Sequence, residues 1–524
     1  MRFHPVWIAL CVALVAVAVA AHAQEPCTIP LTGTVPDGPE THFFLEFDVP
    51  EGIVEIEVQH DDLSSENILD WGLDDPDGFR GWGGGNREPA IVGVQAASRS
   101  YVPGPIPAGK WEVVVGKAKI VETPAQYEIC IILRTEATLP AQQRAPYEDP
   151  GVLDSEARWY AGDFHVHSRE SGDARPTIGE TLEFAQGVGL DFIMLSEHNT
   201  NSGLTLYKNV QADFPKLLLV PGVEWTTYSG HANAIGATGW VDHKVGVRGV
   251  TVEDAIQQYQ GQGALFSINH PTVPGGNFCI GCPWEIEVDP TIVDGLEVQG
   301  GIWGAIDYWE QMCADGSHAT ALGGSDDHQG GQGSGTLYSP IGMPTTMVFA
   351  EKLSVDAIIE GVRSGRTVIK VNSIDDPMLD TELSGERMGN TVFADTATLS
   401  VVVTEGEGRT LRVIKNGSIV ETASITSDPF MHEMNVEAPA EGEDRYRHQV
   451  MLGVAPQTIG SYVWLRAADE TGTPDGGVPD GGTEPGESSS GCSCRIASAS
   501  DYDTGLVLTV LAFGAWYWRR RRAS

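Results

Sequence analysis

Basic side chains are scarce in this sequence. It has 32 lysine and arginine residues against 72 aspartate and glutamate residues, which gives a formal net charge of −40 at pH 7. A surface this acidic repels phosphate backbones, which argues against binding to nucleic acid. Hydrophobic residues make up an ordinary 41% of the chain, so we do not expect general disorder. The 524 residues are enough for roughly two to four domains.

Long apolar runs are few, and those at the two ends are typical of targeting features. The N-terminal segment has a basic start, an apolar run and small residues at Ala21 and Ala23, which predict a signal peptide over residues 1–23. Residues 470–491 are rich in Gly, Pro and Ser and predict a linker. The apolar run Gly505–Trp518 has 14 residues, fewer than the roughly 20 that cross a bilayer, and four arginines follow it.

Cysteines are also few, with eight in the chain. Three of them lie in the terminal segments: Cys11, Cys492 and Cys494. Cys27 and Cys130 lie at the two ends of the first predicted domain, and an oxidising compartment would allow them to form a disulfide. Cys279, Cys282 and Cys313 remain. The motif CIGC is either half of a zinc site or part of a disulfide with one spare thiol, and the absence of a second C-x-x-C favours the disulfide.

The pattern of hydrophobic residues changes twice along the chain. Residues 25–139 show short alternating segments separated by turns, which predict a β-sandwich domain. In residues 155–370 strands alternate with amphipathic helices, as in an α/β barrel or doubly wound sheet, and two helices follow Thr177 and Thr251 as N-caps. Alternation returns in residues 371–469 and predicts a second β-sandwich, of the immunoglobulin-like kind.

Histidines are few, yet eight of the 14 lie between Asp163 and His328, mostly where a predicted strand ends. Imidazoles one residue apart on a strand point the same way, and the C-terminal ends of barrel strands face one mouth. Imidazole and carboxylate groups are common ligands of divalent metals, so several such strand ends favour a metal site over a structural role. The candidate ligands are His165, His167, Asp173, His198, Glu224, His231, His270, Asp326 and His328.

The motifs HVH, SEHN, GVEW, GH, NHP and GSDDH, in this order, resemble those of the PHP (polymerase and histidinol phosphatase) metallohydrolases. Within that superfamily the sequence is most similar to the CehA/McbA branch, over about residues 155–370. The resemblance implies a distorted (β/α)7 PHP barrel with two or three divalent metal ions, Zn, Mn or Fe. The expected fold class is therefore multidomain α/β plus β, a barrel flanked by N- and C-terminal β-sandwich domains.

The resemblance also implies how the ligands are shared. Four side chains would hold the first ion: His165, His167, Glu224 and Asp326. Glu224 would bridge to a second ion, which two histidines complete: His231 and His270. A third ion would be held by His198, His328 and Asp173, where Asp173 replaces a histidine found in many members. The candidate catalytic residues are Glu224, Asp326 and His198.

Four neighbouring residues have weaker assignments. Asp163 and Glu197 lie beside candidate ligands, where they either orient imidazoles or serve the structure alone. His243 and His318 match no motif, and we expect them to be ordinary surface residues or residues behind the ligands.

The C-terminal residues 492–524 combine Gly-Cys-Ser-Cys, a short hydrophobic run and an arginine cluster, and they closely resemble MYXO-CTERM sorting signals. This implies a processed tag with a sorting protease as a candidate partner. The protein would be exported and then attached to the cell surface or outer membrane, or released from it. A permanent tail anchor is the alternative.

The predicted function is that of an exported metal-dependent hydrolase of the PHP superfamily. A metal-activated water would cleave an ester-type bond (carbamate, ester or amide) in a small-molecule substrate. Few Arg and Lys but several Trp residues lie in the barrel segment, which favours a carbonyl-centred or aryl substrate. The alternatives are a phosphoesterase of the PHP type and a non-catalytic cell-surface binding module.

Overall fold

The computed structural model of the protein describes residues 26–276 and 279–468. The predicted signal peptide, the linker and the C-terminal tag, with Cys11, Cys492 and Cys494, lie outside the described residues. The described part is multidomain and rich in β-sheet, and its α-helices have at most ten residues. No helix in the described ranges is long and apolar enough to cross a membrane.

The N-terminal domain consists of two antiparallel four-stranded sheets. Its strands are β1 (Ile29–Thr34), β2 (His42–Val49), β3 (Glu55–Asp61), β4 (Ile68–Asp75), β5 (Gly78–Gly84), β6 (Ala90–Gly93), β7 (Gly109–Lys119) and β8 (Gln126–Arg134). The strand orders are β1-β8-β3-β6 and β2-β7-β4-β5. Alternating apolar residues, such as Val58 of β3 and Trp111 of β7, meet in one buried core. The predicted disulfide between Cys27 and Cys130 is confirmed.

The central region contains most of the helical structure. Its strands are β9 (Arg158–Val166), β10 (Phe192–Leu195), β11 (Glu197–His198), β12 (Leu218–Val220), β13 (Gly222–Thr227), β14 (Gly230–Ile235), β15 (Leu265–Ile268), β16 (Gly295–Gly300), β17 (Trp303–Gly304), β18 (Thr320–Gly324), β19 (Thr345–Ala350) and β20 (Thr367–Lys370). Its helices are α1 (Ile178–Gly187), α2 (Tyr207–Gln211), α3 (Val252–Gly261), α4 (Ile306–Ala314) and α5 (Val355–Arg363).

The two helices predicted from their N-caps are confirmed. Thr177 Oγ1 accepts a hydrogen bond from the backbone N–H of Glu180 at 3.2 Å, and the Glu180 carboxylate accepts one from the N–H of Thr177 at 2.8 Å. This reciprocal pair satisfies N–H groups that the first turn of α1 leaves free. Thr251 caps α3 with a single bond, in which its hydroxyl oxygen accepts from the N–H of Asp254 at 3.1 Å.

The central strands form parts of two sheets, and the described residues do not show one closed ring of seven β/α units. One sheet runs β12-β10-β9-β19-β20, and the other runs β11-β13-β14-β15-β16 with β17 and β18 on β16. Several neighbours are antiparallel, including β13 with β14 and β9 with β19. The turn between β13 and β14 has two residues, Tyr228 and Ser229, which leaves no room for the crossover helix that a parallel pair requires.

The C-terminal strands extend one of these sheets. They are β21 (Met378–Leu383), β22 (Glu386–Arg387), β23 (Thr391–Phe393), β24 (Thr396–Thr404), β25 (Thr410–Lys415), β26 (Ser418–Ser424), β27 (Phe430–Glu437), β28 (Glu443–Leu452), β29 (Ala455–Gly460) and β30 (Val463–Arg466). β20 pairs with β29, so hydrogen bonding continues across the predicted boundary at residue 370. A second sheet, β22-β21-β24-β27, packs on the extension through a shared apolar core.

A buried ion cluster joins the central region to the C-terminal sheet. Glu310 of α4 accepts hydrogen bonds from Arg447 of β28 at 2.9 Å and from the hydroxyl of Tyr462. Arg445 lies 3.4 Å from the same carboxylate. The Arg447 side chain is 3% exposed, so its charge has little access to water and depends on Glu310 for compensation.

We predict that Glu310→Ala lowers the free energy of unfolding by about 3–5 kcal/mol, because it leaves the Arg447 charge buried without its partner. Urea-induced unfolding followed by tryptophan fluorescence measures this loss. The matched control is Glu360→Ala, which removes the carboxylate of an exposed pair with Arg363 and should cost about 0.5 kcal/mol or less. Equal losses in the two variants would contradict the assigned role of the cluster.

Candidate metal centre

All nine candidate ligands lie in one cluster, and strand ends bring most of them there. His165 lies near the end of β9, His198 ends β11, and Glu224 and His231 lie on the adjacent strands β13 and β14. The others lie on segments that follow a strand or a short 3₁₀ turn (Arg169–Ser171): His167, Asp173, His270, Asp326 and His328. The chain therefore brings together, over more than 160 residues of sequence, the groups that the motifs indicated.

Glu224 is the centre of the cluster. Its Oε1 lies near three imidazole nitrogens and its Oε2 near two others: His165 Nε2 at 3.2 Å, His231 Nδ1 and His270 Nε2 at 3.4 Å, His198 Nδ1 at 2.7 Å and His167 Nε2 at 3.7 Å. Asn269 and Thr226 donate further hydrogen bonds to the same carboxylate. One carboxylate that faces two sets of imidazoles has the arrangement expected of a bridging ligand.

Asp326 completes the group around the HVH pair. Its Oδ1 lies 3.2 Å from Nε2 of both His165 and His167. Both histidines are fully buried, and neither Nε2 atom makes a hydrogen bond of good geometry, although carboxylate oxygens lie 3.2 Å away. A buried polar atom without a partner is costly, and a cation bound between these nitrogens and the carboxylates would satisfy them. The residues present thus fit a divalent metal ion.

A third group lies on the more exposed side of the cluster. His198 Nε2 and His328 Nε2 are 3.3 Å apart, and each lies 3.4 Å from Oδ2 of Asp173. The side chains of Asp173 and Asp326 are 58% and 38% exposed, whereas Glu224 is fully buried. The cluster is therefore open to solvent on the side of Asp173 and Asp326.

The electrostatics of the cluster suit metal ligands. Burial acts to raise the pKa of Glu224, but the charges of His165, His198 and His231 hold it well below its ordinary value. Burial, with the charges of His328 and His198, lowers the pKa of His167 to about 3. Burial acts to lower the pKa of His165 and His198, but neighbouring carboxylates outweigh it and raise this pKa well above its ordinary value. Because a neutral imidazole and an ionised carboxylate are the forms that coordinate cations, these two rings release protons when a cation binds.

Three non-glycine residues in and beside the cluster have a left-handed backbone: Asn199 (φ 52°), His270 (φ 27°) and Asp326 (φ 56°). Each such conformation costs on the order of 1–3 kcal/mol. The backbone N–H of each residue donates a hydrogen bond inside the site. Asn199 donates to the carbonyl of Glu224, and Asp326 donates to the carbonyl of His165. His270 donates to Oε2 of Glu297. Strain held in this way at a cluster of ligands is typical of functional sites.

Glu297 belongs to the site but was missed by the sequence analysis. Its Oε1 lies 2.8 Å from His165 Nδ1, and its Oε2 accepts a hydrogen bond from the N–H of His270 at 2.8 Å. It therefore orients two ligands from behind. The available signal was the single charged residue of the strand GLEVQG, beside two apolar residues. Gly324 permits this contact, because a methyl group there would lie 2.4 Å from both Glu297 Oε1 and His165 Cβ.

Asp163 and Glu197 contact backbone and serine groups instead of imidazoles. Asp163 accepts hydrogen bonds from three backbone N–H groups, those of His165, Ser325 and Gly342. Glu197 accepts one from the hydroxyl of Ser168 at 2.6 Å. Both carboxylates thus fix the loops that carry ligands and do not orient the rings themselves.

The two histidines outside the motifs differ from each other. His318 is partly exposed and pairs with Glu443 at 2.6 Å, as expected of a surface residue. His243 does not fit the expectation, because it is buried and its ring packs against Trp82 of the N-terminal domain at 4.6 Å. The N-terminal domain covers His243, a contact between distant parts of the chain that no local motif marks.

The N-terminal domain also braces the loop that carries Asp173. Ser100 donates its hydroxyl proton to the carbonyl of Glu170 at 2.7 Å, and its own carbonyl accepts a hydrogen bond from Thr200. Nearby, Tyr228 donates to Asp70 at 2.7 Å, and burial raises the pKa of Asp70 to about 6. The N-terminal domain therefore contacts segments next to the candidate ligands Asp173, His198 and His231.

No family model and no curated protein matches the sequence. Several solved structures are similar in part. A two-domain protein from Bacteroides vulgatus that contains a predicted PHP-like metal-dependent phosphoesterase is 21% identical, with 62% of this chain and 99% of that chain covered and a TM-score of 0.34. A protein from Bifidobacterium adolescentis, named for metal-dependent phosphoesterase activity, is 14% identical over 34% of this chain and 91% of that chain, with a TM-score of 0.26. These TM-scores are low, so the function is inferred below from the side chains of the site.

We predict that Glu297→Gln weakens metal binding about 10- to 100-fold. The carboxylate accepts hydrogen bonds from the His165 ring and from the backbone N–H of His270, whereas the amide has only one oxygen that can accept. Competition with a chromophoric chelator measures the affinity for Zn²⁺ or Mn²⁺. Glu287→Gln is the matched control, since Glu287 is exposed in the same region of the chain. An unchanged affinity in Glu297→Gln would contradict its role in orienting the ligands.

Proposed function

We propose that this protein is a metal-dependent hydrolase of the PHP type. The observation that carries the proposal is the pair of buried, unpartnered Nε2 atoms of His165 and His167, which face the carboxylate of Asp326 at 3.2 Å. Such a donor set is stable when a divalent cation satisfies it. We assign the nine clustered residues as its metal ligands, with Glu224, Asp326 and His198 next to the reacting groups.

The side chains have distinct parts in such a reaction. Glu224 separates two sets of imidazoles and remains ionised between them. Ions bound there would lower the pKa of a coordinated water and polarise the attacked group. Asp326 faces both the HVH pair and solvent, so it would bind and orient the attacking water. His198, on the opposite side of Glu224, lies between Glu224 and Asp173, so it would hold an ion beside the leaving group, with its other nitrogen fixed by Glu224.

We propose an ester-type carbonyl substrate, such as a carbamate, ester or amide. Within the described ranges, no lysine or arginine side chain forms an ion pair or hydrogen bond with the side chains of the nine residues. A phosphate ester carries negative charge and is usually held by such cations. A phosphoesterase is the second candidate, since bound metal ions can themselves neutralise a phosphate.

Export is part of the proposal. The signal peptide over residues 1–23 and the sorting tag over residues 492–524 would direct the protein to the cell surface. The two disulfides in the described part, Cys27–Cys130 and Cys279–Cys282, are consistent with an oxidising compartment.

We predict that the His165→Ala/His167→Ala variant loses hydrolysis by roughly 100-fold or more, because Lewis-acid stabilisation is worth several kcal/mol. The secreted full chain would be assayed with an aryl acetate, an aryl carbamate and an aryl phosphodiester after addition of Zn²⁺ or Mn²⁺. Metal content measured by mass spectrometry should fall in the same variant. The aryl acetate or carbamate should be cleaved faster than the phosphodiester.

The control is His318→Ala, which removes a partly exposed histidine outside the cluster and should keep both activity and metal content. If the phosphodiester is cleaved faster than the aryl acetate and the aryl carbamate, the protein is a phosphoesterase, the second candidate. A folded wild-type protein that binds neither Zn²⁺ nor Mn²⁺ would overturn the proposal.

A further inference from the structure

A disulfide-closed loop packs on the back of two cluster histidines. Cys279 and Cys282, the two ends of the CIGC motif, are joined by a disulfide, and Cys313 is free and buried, as expected. Cys282 Sγ lies 3.5 Å from His270 Nδ1, and the carbonyl of Ile280 lies 2.9 Å from His231 Nε2. The motif that lacked a second C-x-x-C thus faces two histidines.

In each of these two imidazoles, one ring nitrogen faces Glu224 and the other faces the CIGC loop. His231 Nδ1 and His270 Nε2 face Glu224, both at 3.4 Å. The opposite nitrogens, His231 Nε2 and His270 Nδ1, face the CIGC loop. The two rings therefore separate the carboxylate-rich cluster from a second, sulfur-containing group on its outer side.

The second group has the composition and size of a tetrahedral metal site. One ligand atom from each of its four members lies within 4.8 Å of the others: His231, His270, Cys279 and Cys282. Around a zinc ion, with bonds of about 2.1 Å to nitrogen and 2.3 Å to sulfur, tetrahedral ligand atoms are about 3.4–3.8 Å apart. The distance of 3.5 Å between Cys282 Sγ and His270 Nδ1 already falls in this range.

Contacts other than the disulfide hold the loop in place. The N–H of Glu285 donates to the carbonyl of Ser229 at 2.7 Å, and that of Trp284 donates to Pro271. Gly281 has φ +98°, and a methyl group there would lie 2.1 Å from Thr227 O and 2.8 Å from His231 Nε2. The anchored residues Trp284 and Glu285 directly follow Cys282, so they keep its sulfur near His270 when the disulfide opens.

We propose that Cys279, Cys282, His231 and His270 form a thiol-gated Cys₂His₂ site for a zinc-type ion. A dithiol reductant transfers two electrons and two protons to the disulfide, which yields two thiols and an oxidised dithiol. A Zn²⁺ ion then binds the two sulfurs as thiolates, and the two thiol protons go to solvent. It also binds His231 Nε2 and His270 Nδ1 of neutral imidazoles, whose protons sit on the opposite nitrogens and are donated to Glu224. In the oxidised protein the sulfurs remain bonded to each other and the site is closed. The inference does not depend on the hydrolytic activity. His231 and His270 bind either this ion or the second ion of the carboxylate-rich cluster, because a neutral imidazole has only one free lone pair.

The test uses Co²⁺ as the probe, because cobalt–thiolate bonds absorb in the near ultraviolet and bonds to nitrogen and oxygen alone do not. The full chain carries Cys492→Ser/Cys494→Ser, which removes the closely spaced pair near the C-terminus. After anaerobic reduction with dithiothreitol and desalting, addition of Co²⁺ should produce a thiolate band that saturates at about one equivalent per chain. The oxidised protein should show no such band.

Two matched variants assign the band. Cys279→Ser/Cys282→Ser should abolish it, whereas Cys27→Ser/Cys130→Ser, which removes the other disulfide, should retain it. As a second readout, Zn²⁺ should slow alkylation of Cys279 and Cys282 by iodoacetamide at least about tenfold, because a metal-bound thiolate is a poor nucleophile. Mass spectrometry of the peptides measures the rates.

A reduced protein with two titratable thiols at Cys279 and Cys282 and no cobalt–thiolate band would overturn the proposal. So would a band that persists in Cys279→Ser/Cys282→Ser, because it would belong to other thiols. The carboxylate-rich cluster contains no sulfur, so neither result bears on whether the protein is a hydrolase.

Discussion

The burial of the Glu224 carboxylate among five imidazoles is the constraint on which the rest of the site depends. An ionised carboxylate in an apolar interior is costly unless opposite charge or hydrogen bonds compensate it. Asn269 and Thr226 donate to it, and positive charge on the surrounding ligands lowers its pKa. Each imidazole is then fixed by a second partner, such as Glu297 for His165 and Ser171 for His167.

Bringing so many side chains to one carboxylate places demands on the backbone. Gly324 leaves space for His165 and Glu297, and the left-handed conformations of His270 and Asp326 turn the chain immediately after β15 and β18. Hydrogen bonds inside the site offset the cost of these conformations. The exposed candidate ligand Asp173 lies on a loop, and the contact of Ser100 with Glu170 helps to fix the position of that loop. The N-terminal domain thereby becomes part of the site.

The sequence predicted the features that depend on local periodicity and failed for those that depend on packing. The HVH pair, the capped helices after Thr177 and Thr251 and the Cys27–Cys130 disulfide follow from spacing or residue type. Glu297 lies in an apolar strand and reaches His165 across 132 residues, so no local motif marks it. The two-sheet arrangement depends on strand pairing over long separations, as does the continuation of one sheet from β20 to β29.

The scarcity of basic residues and the carboxylates of the candidate metal centre both make the electrostatic potential around the site negative. A chain with 72 acidic and 32 basic residues has a negative field at its surface, which attracts divalent cations and repels anions. Two of these acidic residues, Asp173 and Asp326, lie at the solvent-exposed side of the cluster. An anionic phosphodiester would approach against this field until bound cations reversed it locally, whereas a neutral carbamate or ester would not. The charge distribution thus favours the same class of substrate as the absence of lysine and arginine contacts at the described ligands.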